Sequence, residues 1–334
     1  MPSLKYDYRP QLRSKIGEAA ALANLSSKSK SRMAPVINMV AKPPAGFAND
    51  IAAAWQGGPM SLDGTFNVAN TGSTASFANL FGAMGTGGVK LIPAINAGET
   101  GPYLHSVKTF VGSFAPGLVL RAKLTDLPIV GAYATAQGWP TSMIDLVVDL
   151  KDVHAHDPDI LRQVVSTAMG KNIVAGNWRS VTLAASSAPR DNTGLPQGRS
   201  VIPRLCWAVW HATASAVPYT LNFSDYGTST PDLADPPGFA MTKATVSARY
   251  TLDKDWIIRK GKPTNGKNGE AMPKQYKAHA MALAAEPNFG GLSMCWGDDR
   301  ILQIGAGSAT SGNRTTWASI GASRHLSLVA ARLP

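Results

Sequence analysis

The feature that most constrains this chain is a rhythm. Short β-forming runs alternate with helical stretches from about residue 34 to the end. Eight runs are readable, at 34–41, 60–66, 89–96, 118–124, 144–150, 180–186, 219–225 and 292–298. Helical segments such as FANDIAAAW, PDILRQVVSTAMG and RSVIPRLCWAVWHATA fill most of the gaps. Eight strands with a helix after most of them predict an α/β fold of the (β/α)8, TIM-like barrel type. An open doubly wound sheet is the alternative, and it loses support because no GxGxxG follows the first strand. Ahead of the strands, RPQLRSKIGEAAALANLSS reads as an opening helix within a lead-in over 1–33.

One stretch breaks the rhythm. After 219–225 the chain passes through DYGTSTPDLADPPGF and then ATVSARYTLDKDWIIRKGK. The first part has loop composition, and the second reads as two short strands hinged at LDKD. The spacing predicts a β-hairpin insertion over 226–270, following the seventh strand and hanging over the carboxyl-end rim. No interdomain linker or internal repeat interrupts 1–334, so a single barrel domain is expected.

Period-two alternation gives the sharpest physical inference. Along 144–150, Ile144, Leu146, Val148 and Leu150 share one face, and Asp145, Val147 and Asp149 share the other. Along 118–124, Leu118, Leu120, Ala122 and Leu124 oppose Val119, Arg121 and Lys123. The apolar faces should meet the helices, which points Arg121, Lys123, Asp145 and Asp149 into the lumen. Buried charges must be paired to be tolerated, so opposite-charge contacts between these strands are expected. Asn38, Ser61, Asp63, Asn96, Thr182 and Ser224 fall on the corresponding faces of other strands. The lumen therefore reads either as a structural ion-pair network or as a polar pocket at its carboxyl end, formed by Asn96, Lys123, Asp149 and Asp225.

Composition narrows the classes. Of 334 residues 44% are hydrophobic, which excludes a disordered chain, and no apolar run approaches the ~20 residues of a membrane-spanning helix. The opening MPSLKYDYRP has no apolar core of a secretory signal, and two cysteines far apart suit a reducing compartment. A soluble, cytoplasmic protein is expected, with no membrane partner. A net charge of +11 favours acidic partners, nucleic acid among them. Yet the basic residues are scattered, and the densest stretches, KSKSR and RKGKPTNGKNG, have loop composition. Charge alone thus supports at most a non-specific nucleic-acid binder.

Two motifs carry chemistry. DVHAHD places two histidines at a strand end, as zinc sites at barrel rims do, but the same stretch is an ordinary helix start with Asp157 as cap and Pro158 after it. No metal site and no cofactor is predicted from it. GAGSATSGNRTTW is a Gly/Ser-rich loop running into a helix, where Ser311, Asn313 and Arg314 are placed to cradle a phosphate or carboxylate.

Several segments together resemble the phage-associated beta protein family. The opening YRPQLRSKIGEAAALANL carries its Tyr-Pro, basic, Gly-Glu and Ala-Leu pattern at Tyr8, Pro10, Arg13, Lys15, Gly17, Glu18, Ala21 and Leu22. FSDYG and ARYTLDKDWIIRKGK resemble its Asp-Tyr and Arg-Tyr-Thr segments, and MCWGDDRI and SGNRTTWASIGASRHLS its closing elements. The sequence departs from that pattern at Ala318 and Arg324, where an Arg and a His are expected. The resemblance implies a phage or prophage setting and a component that restrains a toxic effector encoded nearby. On that reading the insertion supplies the contact surface, through Tyr226, Phe239, Tyr250 and Trp256, with Trp317 beside it. The competing class is a barrel enzyme acting on an anionic or phosphorylated small molecule at the rim. It would use Lys123 as electrostatic stabiliser and Asp149 or Asp225 as general base, with Arg249, Arg259, Ser311, Asn313, Arg314 and His325 holding the anion.

Overall fold

A computed structural model describes residues 7–56, 58–234 and 245–334. Its main sheet has eight parallel strands: β1 (Gln11–Arg13), β2 (Val36–Asn38), β3 (Pro59–Asp63), β4 (Lys90–Asn96), β5 (Leu118–Ala122), β6 (Ile144–Asp152), β7 (Ser180–Ser186) and, after an intervening β8 (Gly198–Pro203), β9 (Leu221–Asp225). Each strand pairs with the next in that order. The seam between first and last closes just ahead of β1, where Arg9 N–H donates to Phe223 O and Phe223 N–H donates to Asp7 O, both at 2.9 Å. The sheet is thus a closed (β/α)8 barrel with no free edge.

Alternation behaves as the sequence requires. Ile144, Leu146 and Val148 join Leu118 and Leu120 in the large core between sheet and helices, while Val36, Ala94, Val119, Val147 and Ala184 form a small apolar cluster inside the lumen. Arg121, Asp145 and Asp149 are buried on that inner face. The Lys123 side chain is exposed instead, because β5 ends at Ala122 and the chain turns there, Lys123 N–H donating to the Asp126 carboxylate at 3.0 Å.

Three expectations need correction. The opening helix spans only Ile16–Ala23, and the residues before it form β1, a strand too short to show a period within an Ala/Leu-rich stretch. The run 292–298 is no strand: Ser293 takes a left-handed backbone, Cys295 caps, and the helix Trp296–Ala306 begins. Gly297 permits that helix to cross the last helix, Arg314–Arg332, closely, since a Cβ would stand 2.5 Å from Ile320 O. The Gly/Ser-rich stretch after that helix, at 307–313, therefore links two helices rather than leaving a strand.

In consequence 219–225 holds the eighth barrel strand, and the insertion follows the eighth, not the seventh. Its strands β10 (Thr245–Thr251) and β11 (Asp255–Pro263) form the expected hairpin. A third strand, β8, pairs antiparallel with β11; it occupies residues expected to open a helix that in fact starts at Leu205. One face of this small sheet packs Tyr250 and Ile257 against Tyr276, Trp317 and Ile320, and the other packs Trp256 and Ile258 on Cys206 and Ala185. Among the described residues no helix is long and apolar enough to cross a membrane.

Candidate functional site

Five strands and one loop build the mouth of the lumen. Arg121 of β5 projects inward between Asp63 of β3, 2.7 Å away, and Asp149 of β6, 3.6 Å away. Its Nη2 also donates to Gln11 Oε1 and Asn38 Oδ1, both at 2.8 Å. Burial pulls against the Arg121 charge, but Asp63, Tyr226 and Asp149 hold its pKa above the ordinary value. Asp149 is held below the usual carboxylate range: burial raises it, and Lys151 and Arg121 outweigh burial. The Tyr226 hydroxyl, pushed well up by burial and by Asp149, donates to that carboxylate at 2.5 Å.

Lys151 completes the cluster. The β6–β7 register breaks between Asp149 and Asp152, and Lys151 takes φ +60°, the left-handed region that costs a side-chain-bearing residue about 1–2 kcal/mol. The turn is fixed by its own N–H, which donates to Asp149 Oδ1 at 2.9 Å. It brings Nζ to 2.9 Å from Asp149 Oδ2 and 3.3 Å from the Tyr226 oxygen, with the side chain 46% exposed. A strained, half-open ammonium thus stands over two buried groups, at the barrel end where such folds keep their chemistry. At the opposite end Asp145 is held by Arg9 at 2.7 Å and Arg179 at 2.5 Å, a wholly structural grouping.

Beside the mouth lie two cavities. One, of about 30 Å³, is lined by Gln11, Glu18 and Tyr226 and has room for about one water. The other is a groove of about 730 Å³, bounded by the turns after β1 and β2, by Phe66 and Asn70, and by the start of the last helix. Glu18 lines both, and burial raises its pKa against the pull of Arg13 and Lys15.

The remaining expected site residues lie elsewhere. Asp225 does not share the pocket of Asp149. Phe223 faces outward onto Trp207 and Trp210, Ser224 faces in to Gln11, and Asp225 faces out again. There Asp225 accepts from Tyr8 at 2.7 Å and from His325 Nε2 at 2.8 Å, with Arg204 at 3.6 Å. In the neutral ring this leaves His325 Nδ1 to accept from the Thr251 hydroxyl at 3.1 Å. His325 therefore fastens the hairpin and does not face an anion site. Arg249 is likewise spent on carbonyls, donating to Thr228 O at 2.7 Å and Pro189 O at 2.9 Å, and burial lowers its pKa to about 10.

Arg259 is half-buried beside Glu286 at 3.5 Å, Ser311 O accepts from Trp317 Nε1 at 2.9 Å, and Asn313 caps the last helix by accepting from Thr316 N–H at 3.0 Å. Arg314 lines the groove. Of the five aromatics expected to meet a partner, the four that the structure describes are buried: Tyr226 on Asp149, Tyr250 beneath Arg324, Trp256 stacked on His325 and Trp317 stacked on Tyr276. They hold the inserted hairpin in place, because its strands pair and sink their large residues. Phe239 lies outside the described residues. Sequence reasoning missed Lys151, Tyr8 and Arg204; a register break and a helix-start arginine leave no periodic signal. Among the described residues no cluster of three or more His, Cys, Asp or Glu is placed to hold a metal.

Comparison with known proteins gives one family and distant structures. A family model described as Beta protein matches residues 8–331. No curated protein matches the sequence. Among solved structures, a mutant tryptophan synthase alpha-subunit from Pyrococcus furiosus is 10% identical over 66% of this chain and 87% of its own, with a TM-score of 0.34. The arginine decarboxylase of Paramecium bursaria Chlorella virus is 11% identical over 80% and 89%, also at 0.34. The barrel assignment rests on strand order and not on these likenesses.

Proposed function

The chain belongs to the Beta protein family, and we propose that it is a barrel enzyme acting on an anionic small molecule at the carboxyl-end mouth. The observation that supports this reading is Lys151: a left-handed, half-exposed lysine whose ammonium is aimed by a buried carboxylate and a buried phenol. In this role Lys151 meets the oxygen on which negative charge develops and supplies a proton to it. Asp149 keeps the amine charged and placed, and the Tyr226 hydroxyl, beside the amine, holds the same carboxylate oxygen. Arg121 and Asp63 form the rigid floor beneath them.

The test is a panel of phosphorylated and carboxylated metabolites incubated with the full chain and followed by mass spectrometry. Turnover of a panel member should fall about 100-fold or more in Lys151→Met, with the folded structure kept because this side chain is half in solvent. No turnover across the panel, or turnover indifferent to Lys151→Met, would sink the reading.

A second reading follows from the family itself: a phage-linked, antitoxin-like component that restrains a toxic effector encoded beside it. Co-expression with each flanking open reading frame checks this, since one frame should be toxic alone and tolerated with this protein. The described aromatics first expected to make the contact are buried, so on this reading exposed basic side chains would carry it. Absence of any toxic neighbour counts against the reading.

A further inference from the structure

The proposed reaction needs a proton acceptor. Asp149 is taken up by Arg121, Lys151 and Tyr226, and Asp225 is sealed behind the barrel wall. The turn after β6 supplies one. The His154 ring stands on Asp152, with Nδ1 2.9 Å from each carboxylate oxygen. The same carboxylate accepts the His154 backbone N–H at 3.1 Å, so it fixes the turn and the ring together. In the neutral ring Nδ1–H then donates to Asp152, and Nε2 keeps its lone pair. The side chain is 47% exposed, which leaves the ring open to a small molecule.

Strand register aims this pair at the mouth. Partners across a parallel ladder share a face, and the inward Val147 and Asp149 pair with Thr182 and Ala184. Strict alternation would send Asp152 outward. Yet Asp152 stands three positions after Asp149, while its partner Ser186 stands only two after Ala184. The extra residue restores the phase and returns Asp152 to the lumen side. Lys151 lies within that same break. Three residues of chain hold the α-carbons of Lys151 and His154 within about 11 Å, a span their side chains can close around a small substrate.

Both side chains are half in solvent, and this restricts the chemistry. An enolate or carbanion formed in so open a site would be quenched by water, whereas hydrolysis needs water there. Arg121 is already held by Asp63 and Asp149, which leaves the Lys151 ammonium to meet a single developing charge, as acyl transfer from an ester requires. We infer that the mouth hydrolyses a carboxylic ester, with His154 as general base and Asp152 as its positioning residue. His154 Nε2 takes a proton from water as the water oxygen bonds to the acyl carbon. The ester C–O bond then breaks, and the leaving alkoxide takes a proton from Lys151. His154 passes its proton back to Lys151 through solvent, so one ester and one water give one acid and one alcohol. The inference rests on the enzyme reading and names its reaction.

Hydrolysis of p-nitrophenyl hemisuccinate, an ester bearing one carboxylate, by the full chain tests it. His154→Gln should lower kcat about 100-fold. His156→Gln alters an exposed histidine of the same turn and should leave kcat unchanged, which controls for hydrolysis by any surface imidazole. Asp152→Ala should lower kcat about tenfold with KM kept, and Asp152→Asn, which keeps an acceptor oxygen for Nδ1–H, should recover most of that loss. Nitrogen NMR of the labelled ring should place the proton on Nδ1 in the native chain and move it toward Nε2 in Asp152→Ala. Hydrolysis that depends on Lys151 but not on His154 overturns the inference and keeps the enzyme reading. A ring proton resident on Nε2 in the native chain overturns it as well. So does an ester left intact by a chain that turns over a phosphorylated metabolite, whereas no turnover of any kind removes both readings.

Discussion

Two clusters in this molecule use the same chemical vocabulary. At the lumen mouth a tyrosine, an aspartate and a lysine stand within 3.3 Å of one another. Behind the barrel wall Thr251, His325 and Asp225 form a hydroxyl–imidazole–carboxylate relay with links of 3.1 and 2.8 Å. By connectivity the second resembles a nucleophile–base–acid arrangement more closely. It is nevertheless sealed: Thr251, His325 and Asp225 are at most 1% exposed, the Tyr8 hydroxyl and the Gly227 N–H donate to the other carboxylate oxygen, and the Arg204 guanidinium stands beside the first at 3.6 Å. The difference teaches that hydrogen-bond geometry defines a network, and access defines a site. The sealed network fastens the hairpin, the last helix and the end of β9 together; the open one is free to meet a ligand.

Stability measurements can break this contrast. Asp225→Ala leaves His325 and Arg204 facing each other in the interior and should cost about 3–5 kcal/mol. Asp149→Ala should cost less, about 1–3 kcal/mol, because Arg121 keeps Asp63 and Lys151 can turn to solvent. Chemical denaturation of both variants reads the difference directly. Equal losses would mean that the mouth is as closed as the clamp.

Backbone strain gives a finer probe. Lys151→Gly and Lys151→Ala both remove the ammonium, but only glycine accepts φ +60° at no cost. The glycine variant should be the more stable of the two by about 1 kcal/mol, and both should lack the activity assigned to the amine. If alanine equals glycine in melting experiments, the left-handed turn stores no strain.

Acid titration sharpens the comparison with the smallest expected effect. Burial lowers the pKa of His325, and burial with Arg259 lowers that of His279 to about 4. The unfolded chain takes up protons near pH 6.5 that the folded chain refuses. Stability should therefore decline as pH falls from about 6.5 toward 4. Below that the depressed carboxylates Asp145, Asp149 and Asp225 add to the loss, since their stabilisation is present above their unfolded values near 3.9 and vanishes as pH drops through the folded ones. His279→Gln should flatten the first part of the curve. A melting temperature constant between pH 7 and 5 would show that neither histidine is held neutral.

Much of the fold was legible in the sequence, because alternation is a local signal. Seven of the barrel strands can be placed from it, as can the inward turn of Arg121, Asp145 and Asp149. The misses share a cause. Gln11–Arg13 is a strand only because β2 and the residues around Phe223 flank it, and Gly198–Pro203 only because β11 runs beside it. Pairing of that kind is tertiary and leaves no period behind. The site was legible in its residues but not in its grouping. Asp149 and Asp225 read alike along their strands, and one residue of phase sends them to opposite faces. The role first given to Lys123 falls, in the proposed enzyme, to Lys151, which no alternation could mark because the strand is irregular there.

The seam of the barrel has a consequence for how the molecule is made. Tyr8 and Asp225, joined by a hydrogen bond, are 217 positions apart. During synthesis from the amino end, β1 emerges early and must wait, unpaired on that side, until the strand carrying Phe223 and Asp225 has been translated. The last helix, which covers the same seam through His325, comes later still. Contacts this distant are slow to form, and exposed strand edges invite wrong partners. The short, polar β1, with Gln11 and Arg13 at its ends, offers a nascent competitor little to grip.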